Sequence, residues 1–189
     1  MGYRYGFKVE ASDVAREIRA ELSIGPLEQL NLRVLAAHLE IPIVGLSELV
    51  ASTPSAAHLI SAEPEAFSAV TVFDGTRRAI VHNDGHALVR QNSNLAHELS
   101  HGLLLHPPTP AMDDKGCRIW NGDIEDEASW LSGCLLVTME AALAVAGGQW
   151  TMATAASQLG ISVDMVRYRV NVTGARKIAQ RTAASRKAS

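Results

Sequence analysis

The sequence predicts an α+β fold, mostly helical with one small sheet. Three observations carry this expectation. Apolar residues recur at helical spacing along most of the chain, one pair of β-rich runs flanks an Asp-Gly turn, and the 189 residues are 47% hydrophobic and 20% charged. That composition belongs to a globular chain able to bury a core without staples, and it excludes collagen-like, low-complexity and disordered classes. No internal repeat is present. One domain over 1–189 is expected, with a core over about 9–148, a helical appendage over about 149–175 and a frayed tail over 182–189.

Each element has its own signal. Val14, Ile18 and Leu22 recur every four residues behind Ser12 and Asp13, which predicts a capped amphipathic helix ending near Gly25-Pro26. A second helix is expected from about Leu27, with Leu30, Val34, Leu35 and Leu39 as its stripe, followed by an extended run at Ile41 to Val44. Residues 47–66 read as short helical pieces. Ala69 to Phe73 and Arg78 to His82 flank Asp74-Gly75 and form the hairpin. After a turn at Asn83-Asp84-Gly85 comes a helix around Leu95 to Leu105, stopped by Pro107 and Pro108. A loop to about Gly122 leads to a long helix, Asp123 to Ala146, closed by Gly147-Gly148. Two shorter helices, Thr151 to Leu159 and Ser162 to about Val172, meet at Gly160.

The formal charge of -3 hides an asymmetry. All 20 acidic residues precede Arg167, whereas the segment from Arg167 to Ser189 holds 7 of the 17 Lys and Arg. The body is acidic and the tail basic. Two cysteines, Cys117 and Cys134, cannot build a disulfide framework, and the N-terminus carries no apolar run of signal-peptide length, so a cytoplasmic chain is expected. Cys134 reads as a packed core thiol, and Cys117 stays unassigned. The apolar stretch Ala128 to Gly148 contains Glu140 and follows an acidic lead, so it reads as a buried helix and no membrane partner is expected.

The chemistry concentrates in His97-Glu98-Leu99-Ser100-His101. Residues four apart share a helix face, so both imidazoles can bind one zinc ion while Glu98 reaches the metal-bound water as general base. A catalytic zinc usually takes three protein ligands and leaves a fourth position open. His106 does not suit as the third, because it stands five residues beyond His101 where the metzincin pattern needs six, with a glycine midway. It reads instead as a helix C-terminal residue complementing the dipole. The next helix is the better source: Glu125, Ala128, Ser129 and Ser132 share a face of one carboxylate and small residues. Ser129 is placed to hydrogen-bond a ligating histidine. Glu127 lies about 200° round from Glu125 and reads, with Asp123 and Asp126, as an acidic first turn.

The segments Ala96 to His106 and Glu125 to Leu136 resemble the ImmA/IrrE-type metallo-endopeptidases, with the hairpin and the C-terminal helix pair also similar over roughly residues 30 to 175. The family's usual Asn or Asp is Ser129 here, its Phe is Leu131, and its basic-aromatic lead into the metal helix is Asn92-Ser93. The resemblance implies a zincin-like fold, zinc on His97, His101 and Glu125, and Glu98 as the base. It also implies a protein substrate, a helix-turn-helix transcriptional repressor, cut to release stress, phage or mobile-element genes.

A peptide held beside an edge strand would bind by main-chain hydrogen bonds, and Arg78 to His82 is the expected strand. His82, His86, Arg90, His106 and Tyr168 could each supply an oxyanion donor. Ala156, Gly160 and Val166 have helix-turn-helix spacing, which would display Arg167, Tyr168, Arg169 and Asn171 to base edges and Arg176, Lys177 and Arg181 to phosphates. The expected function is therefore a zinc endopeptidase. The alternative is a DNA-binding or partner-binding regulator whose metal site is structural or residual, with nucleic acid the less favoured partner.

Overall fold

In a computed structural model of the chain, residues 3–107 and 121–187 are described. Cys117, Pro108 and most of the expected loop to Gly122 lie outside them. Helix α1 (Phe7–Glu21) opens earlier than the expected cap at Ser12, because Phe7, Ala11, Ala15 and Ile18 form the buried stripe. Ser12 sits inside the helix and donates to Lys8 O at 2.9 Å. Helix α2 (Leu32–His38) starts where the Asn31 side chain accepts from the amides of Arg33 and Val34, five residues after the expected start.

Strand β1 (Ile43–Gly45) precedes the short helices α3 (Leu46–Leu49) and α4 (Ser55–Ser61). The hairpin is β2 (Ala69–Asp74) and β3 (Arg77–His82), with Gly75 at φ 61° in its turn. Sheet order is β1-β3-β2. β3 runs parallel to β1, with Ile43 opposite Ile80, and antiparallel to β2, with Thr71 opposite Ile80. The strand expected to be an edge is therefore the centre. Ile80 is fully buried on the core side of β3, with His82 buried two residues on along the same face, whereas β2 leaves Val70 and Val72 exposed.

Helix α5 (Leu88–Leu103) lies on β2 and β3 and packs its other side on α6 (Gly122–Leu136) and α2. Leu95, Ala96 and Leu99 of α5 meet Leu131 and Leu135 of α6 in one core with Leu35 and Val166. The long helix expected over 123–146 is broken: α6 and α7 (Met139–Ala146) bend by 65°. Thr138 causes the break, since its hydroxyl accepts from Ala141 N at 3.0 Å, capping a new helix, and donates to Pro26 O at 2.8 Å. Among the described residues no single helix is long and apolar enough to cross a membrane.

Two buried guanidiniums meet the freed C-terminal end of α6. Arg19 donates to Leu135 O at 2.9 Å as well as to the carbonyls of Gly25 and Glu28, and Arg169 approaches Val137 O at 3.5 Å. Cations there complement the helix dipole. Helix α8 (Met152–Leu159) turns through Gly160, at φ 64°, into α9 (Val163–Val172). The segment expected to fray continues as α10 (Ala175–Lys187), which packs on α7 and α9. Its start is anchored by the fully buried Ala175, and the rest of the helix is rich in Ala, Arg, Lys and Gln, all good helix formers.

Candidate metal centre

Helix α5 buries Leu95, Ala96, Leu99 and Ser100 on one side, which turns His97, Glu98 and His101 toward α6 and β2. Helix α6 begins at Asn121, whose side chain caps the amides of Asp123 and Ile124, and this start brings Glu125 to the two histidines. His97 Nε2 lies 3.1 Å from Glu125 Oε2 and 3.1 Å from His101 Nε2, and His101 Nε2 lies 3.8 Å from Glu125 Oε1. One ligand atom from each of the three residues falls within 4.8 Å of the others. Donor atoms around a tetrahedral zinc stand about 3.3 Å apart, given bonds of about 2.0 Å. The two Nε2 atoms and one carboxylate therefore fit a divalent cation, and without one, two imidazole nitrogens facing each other would repel unless a proton lay between them. The three residues read from the sequence as ligands are thus brought together, and the cluster could hold a metal ion.

The electrostatics suit that donor set. Burial, reinforced by the His97 charge, pushes the His101 imidazole down to about 4, so it is neutral and free to ligate at neutral pH. Glu98 faces the sheet, where Thr71 of β2 donates its hydroxyl to Oε2 at 2.6 Å. Burial raises the Glu98 pKa above the usual carboxylate range, and the Thr71 bond opposes part of that rise.

The histidines are also held from behind. Ser129, expected to bond a ligating histidine, has its Oγ 3.5 Å from His97 Nδ1, at the long end of hydrogen bonding. The closer support was not expected. His106 Nδ1 lies 2.9 Å from His101 Nδ1, His106 Nε2 stands 3.7 Å from Glu127 Oε2, and Glu127 accepts from Arg4 Nε at 3.1 Å. Glu127 does point away from Glu125, as the helix geometry requires, but toward His106 and not into solvent. His106 is turned back because Leu105 adopts φ 52°, with His106 N bonding His101 O at 3.0 Å. Leucine rarely takes that conformation, so no residue type announced the turn.

Among the described residues, none of the remaining expected donors is tied to the metal-centre residues. His82 is fully buried beside Arg33, 3.3 Å away, His86 bonds Pro64 O at 2.8 Å, Arg90 pairs with Glu65, and Tyr168 is exposed on α9. Arg78 of β3 donates to His101 O at 3.4 Å and stacks over Phe73, tying the end of α5 to the hairpin. Beside Glu98 the edge strand is β2. In the C-terminal pair, Arg169, expected to reach a base edge, is buried at 2% exposure, and Arg167 stays on the surface, paired with Asp164.

No curated protein and no solved structure matches the chain. A peptidase family model described as the IrrE N-terminal-like domain matches residues 52–171, a span running from the end of α3 through the hairpin, both metal-centre helices and most of α9. The match covers more than half of the sequence and includes His97, Glu98, His101 and Glu125, so the chain belongs to the IrrE N-terminal-like peptidase family, whose domain is of the metallopeptidase type.

Proposed function

We propose that the protein is a zinc-dependent endopeptidase, with His97, His101 and Glu125 holding the ion and Glu98 as general base. The observation that carries this reading is the convergence of two imidazole Nε2 atoms and the Glu125 carboxylate, with Glu98 one residue along the same helix. When bound, zinc supplies Lewis acidity to the scissile carbonyl and lowers the pKa of a water toward about 7.

The protein's own residues do the rest. Glu98, whose pKa burial raises, is the group that accepts a proton from the attacking water and returns it to the amine nitrogen as the C–N bond breaks. Thr71 holds the Glu98 carboxyl in place, with its hydroxyl on Oε2. His106 and Glu127 orient His101, and Ser129 supports His97. A substrate main chain fits along the outer edge of β2, beside Glu98 and next to exposed Val70 and Val72.

The family resemblance supports a helix-turn-helix transcriptional repressor as substrate, and with it a cytoplasmic role in releasing stress or mobile-element genes. The test is incubation of the metal-loaded protein with the repressor encoded beside it. Glu98→Gln should retain one metal per chain and lose cleavage by at least about a thousandfold; cleavage at the wild-type rate would overturn the assignment of Glu98. The regulator reading has less support, because Arg169 is buried; its exposed cations are Arg167, which pairs with Asp164, and Arg176, Lys177 and Arg181 of α10.

A further inference from the structure

Away from the metal centre, a cavity of about 600 Å³ lies between α1, the C-terminal half of α6, the start of α7 and α9. That volume is typical of small-molecule sites. Its wall is largely apolar, with Val9, Ile24, Met139 and Val172 among its residues. Some of its charges are held by neighbours: Arg16 pairs with Asp13, and Arg19, although its Nε lacks an acceptor among the described residues, donates to three carbonyls in the field of Glu140.

Two cations are not matched. Arg169 is 2% exposed, its Nη2 donates to Cys134 Sγ at 3.2 Å and to Val137 O at 3.5 Å, and its Nε and Nη1 have no acceptor among the described residues. Lys8 Nζ sits 4.2 Å from the centroid of the Trp130 ring, and the Arg169 guanidinium carbon lies 5.2 Å from the same centroid. Among the described residues neither cation forms an ion pair with a carboxylate. The Trp130 Nε1 donor, in the same wall, also lacks an acceptor.

Two positive groups gathered on one aromatic ring repel each other, and a buried guanidinium needs a counter-ion more than an exposed one does. Helix-terminal carbonyls and a thiol offset part of that cost, but none of them carries a full negative charge. The one chemistry that would satisfy both cations and the apolar wall is an anionic head on an apolar body. We propose that this cavity binds a small amphiphilic anion, a monocarboxylate with an apolar chain or ring, whose carboxylate neutralises Arg169 and Lys8. Such an occupant would brace α1 against α6, the helix that carries Glu125. This inference stands independently of the peptidase reading.

Calorimetric titration of the full chain with sodium octanoate tests it, with 1-octanol as the uncharged probe. Saturable one-to-one binding of octanoate is expected, with octanol at least about tenfold weaker. Lys8→Ala, an exposed change at the cavity mouth, should weaken octanoate by about tenfold, and Arg169→Gln by more. The Lys8 variant keeps the experiment readable should Arg169→Gln fail to fold. Absence of saturable octanoate binding up to ~10 mM, equal affinity for octanol, or octanoate affinity unchanged by Lys8→Ala would each overturn the proposal.

Discussion

The two ends of α6 handle buried charge in opposite ways. At the N-terminal end two carboxylates face complements: Glu125 meets two imidazoles, and Glu127 stands between His106 and Arg4, which itself grips Glu10 with two bonds of 2.7 Å. At the C-terminal end two guanidiniums lie buried, Arg19 at 4% and Arg169 at 2% exposure, and they face carbonyls and a thiol. Arg19 makes three carbonyl bonds and leaves only its Nε without an acceptor among the described residues, whereas both Nε and Nη1 of Arg169 lack one. One end is organised to take a cation and the other to spread positive charge over a helix terminus. The first is a matter of ligand affinity, the second of fold stability. The two should separate under mutation.

Arg19→Ala is expected to give the largest effect on stability. It removes three charge-assisted bonds at once and leaves the carbonyls of Gly25, Glu28 and Leu135 short of donors, at a cost of about 3 kcal/mol. Urea unfolding of the metal-free protein measures this. Metal affinity of the variant that remains folded should stay within about threefold of the parent, and a loss of affinity as large as the loss of stability would show that the two ends are coupled.

His106→Ala should do the reverse. Removing the partner of His101 Nδ1 frees that ring to turn, so zinc affinity measured by competition with a chelator should fall by about 10–100-fold. Unfolding of the metal-free protein should change by less than about 1 kcal/mol, since the imidazole is held below its usual pKa by burial and its loss removes a desolvated polar group. An unaltered affinity would remove His106 from the support of the metal centre.

Acid should produce the smallest and most graded change. Burial holds the pKa of His82 and of His101 below 6.5, the latter down to about 4, so the unfolded chain binds more protons than the folded one between those limits. Their contribution is fully present above about pH 6.5 and is lost as pH falls toward 4. Glu98 acts with the opposite sign, because a raised carboxyl pKa favours the folded state on the acid side. Thermal unfolding of metal-free protein should therefore show a shallow loss from pH 7 to 5, and His82→Asn should make that slope smaller. A slope unchanged by that substitution would assign the acid sensitivity elsewhere.

Much of the metal centre was legible because helix periodicity is a local property. His97 and His101 stand four apart, and Glu125 shares its face with residues three, four and seven positions on, so each ligand could be placed on its own helix before the helices met. The supporting groups were not legible. His106 returns to His101 only through a left-handed leucine, and Glu127 finds it only because α6 packs on α5 and the N-terminus crosses to supply Arg4. The break at Thr138 was hidden inside an apolar run whose composition suits one helix as well as two. Arg169 looked exposed on sequence because a helix of ten residues does not declare which side its neighbours will cover.

By itself, the sequence indicated most of the helical segments, where the hairpin lies, and which three residues to propose as metal ligands, because these depend on spacing within a single element. Only the tertiary structure decided that β3 is central and β2 the edge beside Glu98, that α6 ends where two arginines cap it, and that His106 and Glu127 stand behind His101. Those facts depend on which surfaces meet. That is set by burial of apolar area summed over the whole core, a quantity that no short window of sequence contains.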